Sequence, residues 1–473
     1  MLPPEFDSIA ETARALFRKR VQRDAAAADL TDLQTVEEAV TAFVLELGCG
    51  LIQDFADERW AQAMASRGTC SCGRLLTPHR HSKWTRQTLL GPVTVSDFYV
   101  YCRECGDGDR PLHAWLGTDR ETWSLPAQEA AVDLVADESC QKAVDKLERH
   151  HPGVVMGRTT ALRLLHAHGG KARSFIDAKL ASAGAASIGE GRRIEGVPEL
   201  EAEFDGGMVP VATLHAIELE EGEEPELTPV RMLPKRRKEC GWEEAKVGLV
   251  QAPGETTRLY SLRPTGELDA AFDDLLGLAC MKGWTEQTQV RGIADGARHI
   301  RPRLEETFHA CDFRFILDRP HCKEHLSSAG EALEPATGVP AQEWAGDALA
   351  RMEVGAVDEV VAELREAHRT YGDDVLRREA NYFERNGDAV AYAEYREQGW
   401  STASSEVESA HGHIVQPRLK VSGAWWHPDN IDNVLALRML KANGWWEEYW
   451  ADQRQQWSER AASFAQRLPA RAA

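Results

Sequence analysis

Positive charge is scarce in this chain of 473 residues: 55 lysines and arginines face 76 aspartates and glutamates, a formal balance of −21. A promiscuous polyanion binder would carry a basic surface, so that class is disfavoured. A specific DNA-binding protein is not excluded, because bulk negative charge also tempers non-specific contacts. No apolar run approaches the length needed to cross a bilayer, and the opening MLPPEFDSIAETARALFRKR mixes acids with bases, unlike a secretory signal. A cytoplasmic location with no membrane partner is therefore expected. Internal repeats and low-complexity tracts are also lacking, and the length calls for about two to four domains.

Cysteine is present but not in the pattern of a disulfide framework. Of ten cysteines, Cys70 stands beside Cys72 and Cys102 near Cys105, and the other six are scattered. In a long intracellular chain this reads as a metal site plus buried thiols. Cys70-Ser-Cys72-Gly opens a strand-rich stretch and Cys102-Arg-Glu-Cys105-Gly closes it. Two knuckles flanking a hairpin bring four thiolates together, which suits a tetrahedral, structural Zn²⁺. The first knuckle is one residue tight, and His79 and His81 are the substitutes if Cys70 cannot reach.

Residues 1–64 form an N-terminal helical region, with Val36, Val40, Phe43, Val44 and Leu47 at helical spacing. A zinc-ribbon-like module follows over 65–118, where TLLGPVTVSDFYVYC alternates apolar and polar residues. Residues 119–198 return to helix and end in a small-residue linker, ASAGAASIGEGRR (181–193). Within them a break at His151–Gly153 separates two helices, the second carrying Arg158 and Arg163. A helix-turn-helix, whose second helix enters the major groove, and a plain helical hairpin both fit. Residues 199–330 alternate strands (AEFD, KVGLVQ, TRLYSL, VRGIAD, FRFILD) with helices after each of the last three, a multidomain α/β chain's catalytic sheet. Residues 331–400 are a helical insertion, 401–423 return to the core, and 424–473 are tryptophan-rich helices suited to packing against the sheet.

Four acidic segments carry the chemistry: FDGG at Asp205, ADGA at Asp295, LDRPH at Asp318 and SEVES at Glu408. The first three follow strand-like apolar runs, and Glu408 lies in a stretch of helical spacing. Carboxylates at strand ends, joined by one from a late helix, can hold two divalent cations that clamp the attacking and leaving oxygens of a phosphodiester. Singly, each Asp-Gly pair reads equally as a turn; the ordered set points to phosphoryl transfer on DNA.

The order CSCG, TLLGPVTVSDFYVYCRECGDG, FDGG, WEEAKVG, ADGARHI, ILDRPHCKEHL, VES and RLKVSGAWW resembles the ISKra-type transposases of bacterial insertion sequences, relatives of the Mutator-like transposases, over about residues 66–450. The resemblance implies an RNase H-like catalytic core whose Asp-Asp-Glu triad is Asp205, Asp295 and Glu408, holding Mg²⁺ or Mn²⁺. Asp318 and His321 match the Asp/Cys–His signature that follows the second acid. The triad would cut insertion-sequence ends and join them to target DNA. Two points stay open: Asp318 also ends a strand, and STASSEVES leaves Glu406 competing with Glu408, two residues away on another helix face. Arg158, Arg163, Lys235, Arg236, Arg237, Lys238 and Lys246 are the candidate phosphate contacts, Lys235–Lys238 on a loop and Lys246 equally a solvated strand lysine. Double-stranded DNA (terminal inverted repeats and target) and further copies of the chain are the expected partners. A catalytically inactive DNA-binding descendant and a nuclease that cuts without joining remain the alternatives.

Overall fold

The structure, a computed structural model, describes residues 4–23, 32–65, 69–70, 72–110, 112, 122–188, 196–217, 228 and 234–467. It divides into two compact units, Met1–Leu164 with Glu447–Ala473, and Leu165–Trp446.

In the first unit, α1 (Pro4–Arg23) and α2 (Leu33–Ala65) precede an antiparallel hairpin of β1 (Thr77–Thr88) and β2 (Gly91–Tyr101), with β3 (Gly108–Asp109) at its edge. β2 contributes Val95, Phe98 and Val100 to a small core with Cys70, Leu76, Cys102 and Leu112. Trp60, Ala63 and Met64 of α2 pack on that core. The α2 helix is pinned to the hairpin by Gln53, whose amide donates to the Thr94 carbonyl and accepts from the Thr94 N–H, both at 2.8 Å. Its other face leaves Val40, Val44, Leu51 and Phe55 exposed. The expectation that no apolar run reaches membrane-spanning length is not met: α2 contains a window of mean hydropathy 1.4, because its few acids are spaced within an otherwise apolar run. By length and composition α2 could cross a membrane, a test that the core helix of a soluble protein also passes.

Helices α3 (Leu125–Asp137) and α4 (Cys140–His150) each begin on a serine cap, Ser124 and Ser139, whose hydroxyl accepts a backbone N–H of the first turn. The chain breaks over residues 151–157 and resumes as α5 (Arg158–Ile188). The expected linker therefore starts late: residues 181–188 continue α5, as their alanine content favours. Residues 189–193 of that linker and the acidic stretch 219–227 lie outside the described residues.

The second unit is built on a mixed five-stranded sheet. Its strands are β4 (Glu199–Ala216), β5 (Arg236–Gln251), β6 (Leu259–Pro264), β7 (Gln289–Ala294) and β8 (Asp312–Leu317), in the order β6-β5-β4-β7-β8. β5 runs antiparallel to both β4 and β6, whereas β7 and β8 run parallel to β4. As the sequence spacing predicts, helices follow the last three strands: α6 (Leu268–Met281), α7 (Arg301–Thr307) and α8 (Arg319–Thr337). The parallel strand β7 is a continuous buried run from Val290 to Ala294, as a strand covered on both faces must be. Phe204 of β4 points to α6 and stacks on Phe272 with ring centroids 4.5 Å apart. Its neighbours Glu203 and Asp205 consequently face the opposite side.

Four further helices, α9 (Ala341–Glu353), α10 (Val357–Tyr371), α11 (Asp374–Asn386) and α12 (Tyr392–Glu397), make the insertion. The chain then returns as α13 (Ser405–Ala410), a π turn at His411–Val415 and α14 (Gln416–Leu419), and α15 (Ile431–Ala442) packs on β6. The C-terminal tryptophans divide their roles. Trp426 is buried and bonded by its backbone to Pro210 and Ala212 of β4, and Trp445 and Trp450 are buried, but Trp425 is exposed under Lys238.

Candidate functional site

The thiol cluster is formed by two tight turns. Cys70 accepts the Gly73 N–H and Cys102 accepts the Gly106 N–H, and both glycines adopt positive φ (83° and 74°), a conformation that costs other residues. The sulfur atoms of Cys70, Cys72, Cys102 and Cys105 lie within 4.8 Å of one another, so the cluster could hold a metal ion such as zinc. The tight first knuckle does not prevent Cys70 from reaching. His79 and His81 instead sit on β1 with their rings against Tyr101 and Phe98. Hydrogen bonding from Cys72 and Cys70 drives the Cys105 thiol up to about 12, a crowding that a shared cation would relieve.

The acids meet through strand register. Phe204 pairs with Ala294 as the last step of the β4–β7 ladder, and Ala294 pairs with Leu317 as the last step of β7–β8. Asp205, Asp295 and Asp318 each come one residue later, so they stand side by side at the level where the parallel strands β7 and β8 end. Open α/β sheets offer ligand sites at such ends. Asp205 is not at the end of its strand, as the sequence suggested: β4 runs on to Ala216 because its hairpin with β5 continues past the point where β7 stops. Burial pushes the Asp205 carboxyl up, and nearby Asp295 adds to this, against the pull of the Gly206 N–H, His411 and His321. A crowded, partly buried acid of this kind is what an active site or cation site provides.

Asp318 plays a different part from its neighbours. One carboxylate oxygen accepts the Ser404 N–H (2.6 Å) and hydroxyl (2.9 Å); the other accepts the His321 N–H (2.9 Å) and bonds to its Nδ1 (2.7 Å). It is 1% exposed and caps α8. Burial pushes this carboxyl up, but the bonds from His321 and Ser404 prevail and hold it below the usual carboxylate range. The Asp318 bond in turn raises His321 to about 9, leaving an imidazolium close enough to act on Asp205. Asp295, by contrast, accepts the Ala297 N–H through Oδ1 at 2.9 Å. Geometry therefore separates the two acids that sequence left open.

The late helix reaches the sheet through Glu203, whose carboxylate accepts the Val407 N–H at 2.8 Å. Glu203 is 1% exposed, and burial raises it to about 8. Glu406 is committed to an ion pair with Arg258 at 2.9 Å, whereas Glu408 is exposed. Three residues beyond Glu408, and so on a neighbouring face of the turn, His411 brings Nε2 to 3.8 Å from the Asp205 carboxylate. Sequence reasoning missed Glu203 and His411; the only signal for the latter was its position shortly after the SEVES segment.

The insertion also does more than its sequence indicated. Tyr382 donates its hydroxyl to the Asp295 carbonyl (2.7 Å), Asn386 donates to the Gly296 carbonyl (3.2 Å), and Tyr392 donates to the Leu317 carbonyl (2.9 Å). These bonds fix the backbone at the ends of β7 and β8. His325 pairs with Glu379 at 2.6 Å and stacks on Tyr382.

The candidate phosphate contacts are not gathered in one place. Arg158 and Arg163 are exposed on the first turns of α5. Lys235 is exposed, and Arg236, Arg237 and Lys238 open β5 as exposed strand residues rather than a loop, because the β4–β5 hairpin is long. Lys246 is neither solvated nor surface-facing: it is 3% exposed and pairs with Glu244 at 2.6 Å. Among the described residues the four thiols are the only cluster of three or more metal-ligand side chains drawn within 4.8 Å, so the acids stand further apart than that. No known family and no curated protein matches the chain.

Purified protein is expected to carry one firmly held metal ion at the thiols, and Cys102→Ser to lose it and loosen the β1–β2 hairpin. Full metal content in that variant would contradict the assignment. Glu203, with an ordinary value of 4.5 raised to about 8, stabilises the fold fully below the lower value and progressively less as pH climbs through the higher. Glu203→Gln should therefore melt at a higher temperature than wild type at pH about 8, with the difference vanishing near pH about 4.5. Identical melting of the two across that range would refute the burial argument.

Proposed function

We propose that the chain is a DNA transposase with an RNase H-like core, cutting the ends of an insertion sequence and joining them to target DNA. The observation that carries this reading is the row formed by Asp205, Asp295 and Asp318 across three adjacent parallel strands, level with the ends of β7 and β8. The sheet supports it too. Taken in chain order its five strands lie third, second, first, fourth, fifth, and only the second runs against the rest. That is the arrangement an RNase H-like core requires.

Asp205, Asp295 and Glu408 are the proposed triad. Glu406 is spent on Arg258, and both oxygens of Asp318 are occupied, which favours Glu408 and Asp295 in the two open choices. The carboxylate oxygens of these three residues are donors of the kind that Mg²⁺ or Mn²⁺ takes. Divalent cations there would supply the charge that activates the attacking oxygen and steadies the leaving one. The chain's own groups do the positioning. Asp318 orients His321, whose imidazolium offers positive charge to a phosphate oxygen near Asp205. Tyr382 and Asn386 hold the Asp295–Gly296 backbone at its required place.

DNA would be held by the exposed Arg158 and Arg163 on α5 and by Arg236, Arg237 and Lys238 on β5. The thiol cluster, loaded with a structural Zn²⁺, would fix the fold of the ribbon module. Two DNA ends must be brought together, and the exposed apolar face of α2 supports an assembly of more than one copy.

The test is cleavage and joining of labelled DNA taken from the ends of the element flanking the gene, in Mg²⁺ or Mn²⁺. Wild type should cut and join. Asp205→Asn, Asp295→Asn and Glu408→Gln should each lower the rate by roughly 10³-fold or more, and Glu406→Gln far less. Cutting without joining would turn the reading to a nuclease; binding without cutting, indifferent to every substitution, would turn it to an inactive DNA-binding descendant.

A further inference from the structure

His411 is the least explained polar group near the acids. Its ring is buried, at 4% exposure, and neither nitrogen makes a hydrogen bond. Leaving such groups unsatisfied costs about 1–3 kcal/mol, so a buried, unbonded imidazole calls for an explanation. The ring opens the π turn His411–Val415, a local widening of the helix that recurs at functional sites. It is also accommodated specifically: a Cβ on Gly207 would sit 2.5 Å from Nδ1, so only glycine leaves room for the ring there.

The ring's partner is Asp205, 3.8 Å from Nε2 to the nearer carboxylate oxygen. That separation is too long for a hydrogen bond. It suits two ligands of one ion: donors each about 2.1 Å from a shared cation stand about 3 Å apart when adjacent and about 4.2 Å apart when opposite. The other imidazole near Asp205, on His321, is engaged by Asp318 through Nδ1.

We propose that His411 is a nitrogen ligand of the divalent cation held at Asp205. The consequence is tighter binding of Co²⁺ than of Mn²⁺, as affinity for a nitrogen-bearing site rises along the first-row series, and weaker binding of Mg²⁺, which demands near-ideal octahedral geometry and keeps its waters. The inference rests on the reading of Asp205 as a cation ligand and extends the donor set beyond the three carboxylates.

The experiment is Mn²⁺ titration of the full-length chain, followed by electron paramagnetic resonance, with pulsed spectra of the bound ion. Wild type should bind Mn²⁺ and show the ¹⁴N modulation of a directly coordinated imidazole. His411→Gln should lose that modulation and weaken Mn²⁺ binding by about tenfold or more, whereas His321→Gln should keep the modulation. Wild-type Mn²⁺ that depends on Asp205 (lost in Asp205→Asn) but shows no ¹⁴N modulation would overturn the role of His411 and leave the cation site standing. Wild-type binding that Asp205→Asn does not change would overturn both. Because the modulation is read on wild type, the result does not depend on the His411 variant folding.

Discussion

The Asp318 carboxylate is the joint on which the candidate site depends. Its four bonds tie the end of β8 to the first turn of α8 through His321, and to the segment entering α13 through Ser404. A carboxylate with 1% exposure survives as an anion only because every oxygen is met by a donor. Loss of the carboxylate would leave Ser404, the His321 N–H and an imidazolium without their acceptor. The late helix would keep the Glu203–Val407 bond and the Glu406–Arg258 pair but lose the fastening at its entry. Residues that look like catalytic acids in sequence can therefore divide the work, some holding the frame while others keep an oxygen free.

Much of this was legible in the sequence, and the reason is periodicity. The apolar runs at AEFD, KVGLVQ, VRGIAD and FRFILD mark strands β4, β5, β7 and β8, and acids at their ends follow from the pattern alone. What could not be read is register and reach. Only the pairing of Phe204 with Ala294, and of Ala294 with Leu317, shows that the three aspartates are neighbours. The length of the β4–β5 hairpin, which puts Asp205 mid-strand and Arg236–Lys238 on a strand, depends on pairing between segments about twenty residues apart. The same pairing sets Lys246 opposite Gly206, where it is buried.

The helical insertion shows the other gap. Its sequence displays amphipathic spacing and no catalytic pattern, so Tyr382, Asn386 and Tyr392 read as ordinary helix residues. Their hydroxyl and amide groups nonetheless bond the carbonyls of Asp295, Gly296 and Leu317. Side-chain bonds to backbone carry no sequence signature, because the acceptor exists at every residue. His411 was hidden for a related reason, since only the fold brings the start of the π turn against Asp205 of β4.

The net charge of −21 gains meaning beside this site. Acids gathered on neighbouring strands repel a polyanion until cations neutralise them, so on the proposed reading metal and DNA binding should be coupled. The most direct test of the central claim is an anomalous difference map from crystals of the protein soaked in Mn²⁺. The account predicts an ion in contact with the carboxylates of both Asp205 and Asp295, and none on Asp318. Mn²⁺ absent from Asp205 and Asp295 at saturating concentration, or bound to Asp318 in their place, would contradict it.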